Sequence, residues 1–272
     1  MTAESRINSL ETSYGRLAWR ADGPEGGAPL VLFQRFRGTM DDWDPTFIHA
    51  LSAKHRVIRF DSAGIGRSEG TVPDSVGGIA AVAAEVVQKL GFNQVDILGW
   101  SLGGIIGQQF ALDFPNLVRC LIVAGSSPGP IADGPQQDPR VLQVMTKATD
   151  NDERDFLFLF YPETETAVAE GRASLKRIES QPNKGPGVSA AGFMGQIKAI
   201  STWQGVLGRA KELKLPILVA NGAHDVMLPA YRSYVLSQQA PNAKLVLYPD
   251  AGHAFLFQVI DDFVAEIDRF LA

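Results

Sequence analysis

The sequence contains one cysteine, Cys120, in 272 residues. A single thiol excludes an intramolecular disulfide, and four scattered histidines beside it leave no Cys/His cluster at zinc-ligand spacing. Sparse cysteine fits a reducing compartment. An excess of positive charge is also missing. Twenty-five basic against thirty acidic side chains give a net charge of −5, and no stretch gathers Lys and Arg into the stripe that a phosphate backbone requires, which excludes nucleic acid as an expected partner. No run approaches the roughly 18 apolar residues of a membrane span. The opening Met1-Thr2-Ala3-Glu4-Ser5-Arg6 is not followed by the apolar stretch of a secretory signal. The expectation is a cytoplasmic chain with no membrane partner, acting on a small molecule, with its oligomeric state left open.

What is present is apolar material in a regular rhythm. A hydrophobic content of 45% with 20% charged residues supplies a substantial core and rules out disorder as the main state. The length gives one to two domains, and one domain with an insertion is the default. Leu17-Ala18-Trp19 and Leu30 to Gln34 read as early strands, the former as part of a hairpin. Trp43 to Lys54 reads as a helix started by Asp44-Pro45, Arg56 to Phe60 as a strand, and Ser75 to Leu90 as an Ala/Val-rich helix. Gln94 to Trp100 is a strand, Leu102 to Phe114 a helix stopped by Pro115, and Val118 to Ala124 a buried strand. This alternation predicts an α/β fold, a mostly parallel central sheet with helices on both faces.

The rhythm breaks after Ser127. Residues 128–208 show no convincing strand, only helical candidates such as Asp152 to Tyr161 and Ala190 to Trp203, so they are read as a helical insertion into a core formed by 1–127 and 209–272. The pattern resumes with the strand Pro216 to Gly222, a helix at Ala230 to Gln239, the strand Lys244 to Tyr248 and a last helix from Phe255 to Phe270. No internal repeat or low-complexity tract interrupts it.

The sharpest local signal is Gly99-Trp100-Ser101-Leu102-Gly103. Alone the pattern is weak in a chain with 27 glycines. Its setting decides, because it follows an apolar strand and opens a helix, where a serine is held on a tight bend with its hydroxyl presented. Such a bend crowds neighbouring backbone, so the positions two before and two after the serine must be small. The N–H of Leu102, at the positive end of the helix, is aimed to meet charge developing on a substrate oxygen. A serine hydroxyl needs a base, normally a histidine held in one tautomer by a carboxylate. His49 lies in a predicted helix and His55 at a strand entrance. His224 and His253 sit in loops beyond late strands, as does Asp225. In an open parallel sheet those strand ends converge on one crevice, which brings Ser101, Asp225 and His253 together as candidate catalytic residues.

With these residues in place, the chain resembles the serine-nucleophile branch of the α/β-hydrolase superfamily, which has the chain order serine, acid, histidine and a helical cap. The resemblance covers essentially the whole length. Asp61-Ser62-Ala63-Gly64-Ile65-Gly66-Arg67-Ser68 is similar to a family loop, Gly222-Ala223-His224-Asp225 to its acid turn, Gly252-His253 to its histidine turn, and the insertion to its cap. The resemblance implies a cofactor-independent and metal-independent serine hydrolase acting on a small, fairly apolar carboxylic ester or related acyl compound through an acyl-enzyme. It also implies Asp225 rather than Asp250 as the acid. Open alternatives are a cofactor-free perhydrolase or haloperoxidase-like reaction, hydrolysis of a carbon–carbon bond, and a non-catalytic small-molecule receptor on the same fold.

One departure matters. Where the family carries His-Gly and then an oxyanion-hole residue, this sequence reads Gln34-Arg35-Phe36-Arg37-Gly38, so Phe36 inherits the oxyanion role by position, alongside Leu102. Arg35 replaces a glycine. Arg35 and Arg37 either add positive charge at the pocket mouth or point to solvent and pair with Asp41, Asp42 or Asp44. The acidic run Asp41-Asp42-Trp43-Asp44 itself reads as a helix-start loop rather than a cation site. Phe156 to Tyr161 either lines an apolar pocket or is plain core.

Overall fold

A computed structural model of the chain describes residues 6–135, 137–147 and 151–272. Its centre is an eight-stranded sheet in the order β1-β2-β4-β3-β5-β6-β7-β8. β1 (Asn8–Thr12) and β2 (Gly15–Asp22) form an antiparallel hairpin at one edge, and β2 runs antiparallel to β4 (Val57–Phe60). From there to the other edge all strands are parallel: β4, β3 (Leu30–Phe33), β5 (Val95–Trp100), β6 (Val118–Ala124), β7 (Ile217–Gly222) and β8 (Ala243–Tyr248). The mostly parallel sheet expected from the alternation is the one found.

Why these runs lack polar positions follows from their packing, since a strand covered on both faces has no solvent side. Along β3, Val31 and Phe33 enter one core cluster while Leu30 and Leu32 enter the other. Along β7, Ile217 and Val219 face one side, Leu218 and Ala220 the opposite. One cluster is closed by α2 (Val76–Lys89) and α3 (Leu102–Asp113), the other by α1 (Pro45–Ser52) and the C-terminal α10 (Ile260–Leu271). Asp44 caps α1 by accepting from Thr46 N, with Pro45 in the first turn, and Ser75 caps α2. The expected terminal helix is two elements, because Val259 (φ −125°, ψ 51°) leaves helical geometry between α9 (Phe255–Gln258) and α10.

Between β6 and β7 the described residues form no strand. They form α4 (Pro139–Met145), α5 (Glu153–Phe160), α6 (Glu165–Glu179) and α7 (Ala190–Ser201), followed by α8 (Ala230–Gln239) after β7. α5 and α7 fall where the pattern placed helices; α4 and the fifteen-residue α6 were not anticipated. α6 buries only Ala167, Gly171, Ser174 and Ile178, a narrow stripe of mostly small residues that carries little hydrophobic signal. Ser174 Oγ donates to Asp44 at 2.7 Å, and the Arg177 guanidinium pairs with the same carboxylate at 2.7 Å. This ties the insertion to the start of α1.

Candidate active site

The parallel strands bring their C-terminal ends to one edge of the sheet, where the loops after β3, β5, β7 and β8 meet. Ser101 follows β5 with φ 58° and ψ −117°, a conformation sparsely allowed to a residue with a side chain. The bend persists because its surroundings fix it. Ser101 N donates to Ala124 O at 2.9 Å, and Ser126 Oγ donates to Ser101 O at 2.7 Å, so both sides of the turn are tied to β6 and the loop beyond it. A Cβ on Gly103 would stand 1.9 Å from Phe33 O, and one on Gly99 would stand 2.2 Å from Gly103 O. The crowding expected of the bend is therefore real, and only glycine fits either place. Leu102 opens α3. Among the described residues neither its N–H nor that of Phe36 donates to a protein acceptor, so both donors are free for a ligand.

Asp225 and His253 are joined. His253 Nδ1 lies 2.8 Å from Asp225 Oδ2, with both side chains fully buried. The other carboxylate oxygen accepts from Met227 N and Leu228 N, each at 2.8 Å. The acid is thus oriented by its own turn before it meets the ring. An ionised carboxylate only accepts, so the ring carries its proton on Nδ1 and presents the Nε2 lone pair. Nε2 is buried and has no hydrogen-bond partner. Trp100, immediately before Ser101, donates from Nε1 to His253 O at 2.9 Å, and the two rings lie 5.9 Å apart. No hydrogen bond joins Ser101 Oγ to Nε2 in this state. Such bonds commonly tighten only when substrate arrives.

The other candidates have other employment. Asp250 (φ 48°) accepts from Thr164 Oγ1 at 2.9 Å and Thr166 Oγ1 at 2.9 Å, facing the insertion rather than the imidazole. His224 is exposed, and His55 lies 2.8 Å from Asp268. Asp41 pairs with Arg20 and Arg67, Asp42 with Lys184 and Asp44 with Arg177, so the acidic run holds cations of the protein itself. Asp61 follows β4 and accepts from Met40 N and Arg67 N. Burial nevertheless pushes its carboxyl up to about 6. Among the described residues no three His, Cys, Asp or Glu side chains converge to hold a metal ion.

The loop after β3 places its two arginines differently. Arg35 does not need a glycine's conformation; the left-handed residue is Arg37 (φ 57°). Arg37 is held there by Gln196 Oε1, which accepts its N–H at 3.0 Å, and by the Phe193 ring 4.8 Å from its guanidinium. Arg35 neither points to solvent nor pairs with Asp41, Asp42 or Asp44. Its guanidinium lies 5.7, 5.5 and 5.3 Å from the rings of Trp100, Phe156 and Phe160. It lines two cavities, of about 50 and 60 Å³, the first shared with Leu102 and Gln196 and the second with Trp100, Phe156 and Phe160. The aromatic run in the insertion does both: Phe156, Phe160 and Tyr161 face a cavity, and Phe160 and Tyr161 are also buried in the core with Leu159. The only sign of Arg35 in the sequence is a large cation at a position where the family has glycine.

Residues 28–258 match the alpha/beta hydrolase fold family. The chain is similar to a solved alpha/beta hydrolase fold protein from Chitinophaga pinensis, with 34% identity over 99% of this chain and 98% of that one and a TM-score of 0.88. It is 31% identical to a pimeloyl-[acyl-carrier protein] methyl ester esterase from Serratia marcescens over 94% of this chain and 98% of that protein. It is 28% identical to a poly(3-hydroxyalkanoate) depolymerase from Ectopseudomonas oleovorans over 98% and 92%, respectively.

Proposed function

Since the chain belongs to the alpha/beta hydrolase fold family, whose similar members carry the names of hydrolases, we propose that it is a serine hydrolase that cleaves a small carboxylic ester with a largely apolar body through an acyl-enzyme. The observation that carries this reading is the His253–Asp225 pair, with Nδ1 bound at 2.8 Å and Nε2 left unpartnered, clamped through Trp100 to the bend that bears Ser101.

Ser101 Oγ attacks the ester carbonyl while His253 Nε2 takes its proton. The carbonyl oxygen becomes an oxyanion and receives the N–H groups of Phe36 and Leu102, reinforced by the N-terminal end of α3. His253 then returns the proton to the alkoxide leaving group as the tetrahedral intermediate collapses. In the second half a water gives its proton to His253, its oxygen attacks the acyl carbon, and the proton passes back to Ser101 as the acid departs. Asp225 stays ionised throughout and stabilises the imidazolium. The helical insertion serves as a cap: its Phe156 and Phe160 close over the crevice beside His253, with ring centroids of Phe160 and His253 5.4 Å apart. The ester relatives support the choice of acyl-oxygen cleavage over the alternatives.

The test is turnover of short p-nitrophenyl esters by the wild type and by Ser101→Ala. The expected outcome is a fall of at least about 10³-fold with folding intact. Undiminished turnover in the variant would end the proposal.

A further inference from the structure

We propose that Arg35 reads a carboxylate on the substrate, so that the ester hydrolysed carries a free acid group. This rests on the hydrolase reading above and narrows its substrate class. The observation is a cation without a counter-ion. Arg35 is 9% exposed, and among the described residues no carboxylate lies within ion-pair distance of it. Asp42, the acid whose field reaches it most, is already held by Lys184 at 3.3 Å and by Thr39 N at 2.8 Å. A buried guanidinium is costly unless paired. Here its one fixed hydrogen bond runs from Nη1 to Phe36 O at 2.9 Å, while the guanidinium offers five N–H donors.

The rest of the fork borders a cavity of about 60 Å³ walled by Trp100, Phe156, Phe160 and Phe257. Desolvation holds its pKa below the usual arginine value, as expected for a charge sustained by ring faces instead of a carboxylate. A planar fork placed over aromatic rings matches a carboxylate edge-on, in two parallel hydrogen bonds. Other charged groups at this cavity are Asp42, already paired with Lys184, and Glu179 and Lys184 themselves at its exposed side. The position suits the chemistry: Trp100 precedes Ser101 in sequence, Phe36 follows Arg35, and Phe160 and Trp100 both touch the His253 ring. An apolar stem of a few carbons would lie among the rings with its acid on Arg35 and its ester at Ser101.

The experiment compares matched esters. Monomethyl esters of the C4–C8 diacids place the carboxylate on the acyl side, and acetate esters of C2–C6 hydroxy acids place it on the alcohol side. Each is paired with its neutral methyl-capped counterpart. The wild type is expected to favour a carboxylate-bearing member by roughly 10- to 100-fold in kcat/KM, expressed mainly in KM. Arg35→Met should reduce that ratio to near one, and Arg35→Lys should keep part of it. Equal rates on both members of every pair, or a ratio that survives Arg35→Met, would overturn the proposal. Because a failed hydrolase reading would also abolish turnover, binding is measured separately by calorimetry on Ser101→Ala. Binding of a carboxylate-bearing ester that is lost in Ser101→Ala/Arg35→Met supports the assignment whatever the turnover. Indifference to the carboxylate, or no binding of any tested pair, refutes it.

Discussion

Asp225 and Asp250 are two carboxylates near one histidine, and what each already holds separates their roles. Asp225 offers one oxygen to His253 and the other to two backbone N–H groups. In Asp225→Asn the amide oxygen would keep the backbone bonds and turn the NH₂ toward Nδ1, forcing the proton to Nε2 and removing the base. Turnover is expected to fall by about 10⁴-fold. Asp250→Asn retains a residue that tolerates the left-handed backbone and should alter kcat/KM by less than about threefold. Steady-state rates of the two variants check this, and a larger loss in Asp250→Asn would reverse the assignment. At this scale Ser101, Asp225 and His253 were legible in the sequence as candidates because each sits in a short turn with its own residue pattern. For Arg35 the sequence left two readings open, pocket mouth or solvent, since the rings it lies against, Trp100, Phe156 and Phe160, come from distant parts of the chain.

Among the elements, α3 and β3 pack closely enough that a single methyl group decides the fit. Gly103→Ala would drive a Cβ into the Phe33 carbonyl, forcing the helix off the strand, at a cost of about 3 kcal/mol or more. A drop in thermal midpoint of several degrees or loss of soluble protein is expected; an unchanged midpoint would mean the helix can slide freely. Asp44 joins two elements as well, capping α1 and pairing with Arg177 and Ser174 of α6. Removing it in Asp44→Ala uncaps a helix and takes the acceptor from buried Ser174, while the part-exposed Arg177 turns to water, and should cost about 2–3 kcal/mol in denaturant unfolding. Long periodic elements were readable from apolar spacing, whereas α6 was not. Its sequence Glu-Thr-Ala-Val-Ala-Glu-Gly-Arg-Ala-Ser-Leu-Lys-Arg-Ile-Glu is polar on most sides, and its packing rests on small residues and an ion pair that no periodicity announces. The break at Val259 was equally hidden, as Phe255 to Phe270 contains neither glycine nor proline.

For the whole molecule, the topology does what no local segment can: parallel strands deliver loops separated by more than a hundred residues to one crevice. The same burial sets a pH dependence of stability. Asp61 has a folded pKa of about 6 against an ordinary 3.8, so the folded state binds its proton more tightly than the unfolded chain does. That contribution is full below about pH 4 and is lost as pH rises through about 6, up to about 3 kcal/mol. Stability of the wild type relative to Asp61→Asn should therefore decline across that window in pH-resolved chemical denaturation, and a flat difference would contradict it. The central claim concerns Ser101 and the imidazole that activates it. Labelling with a fluorophosphonate followed by peptide mapping tests it most directly. Stoichiometric modification of Ser101 in the wild type, abolished in His253→Ala, is the predicted result. Modification at another residue, or undiminished labelling of Ser101 without His253, would contradict the account.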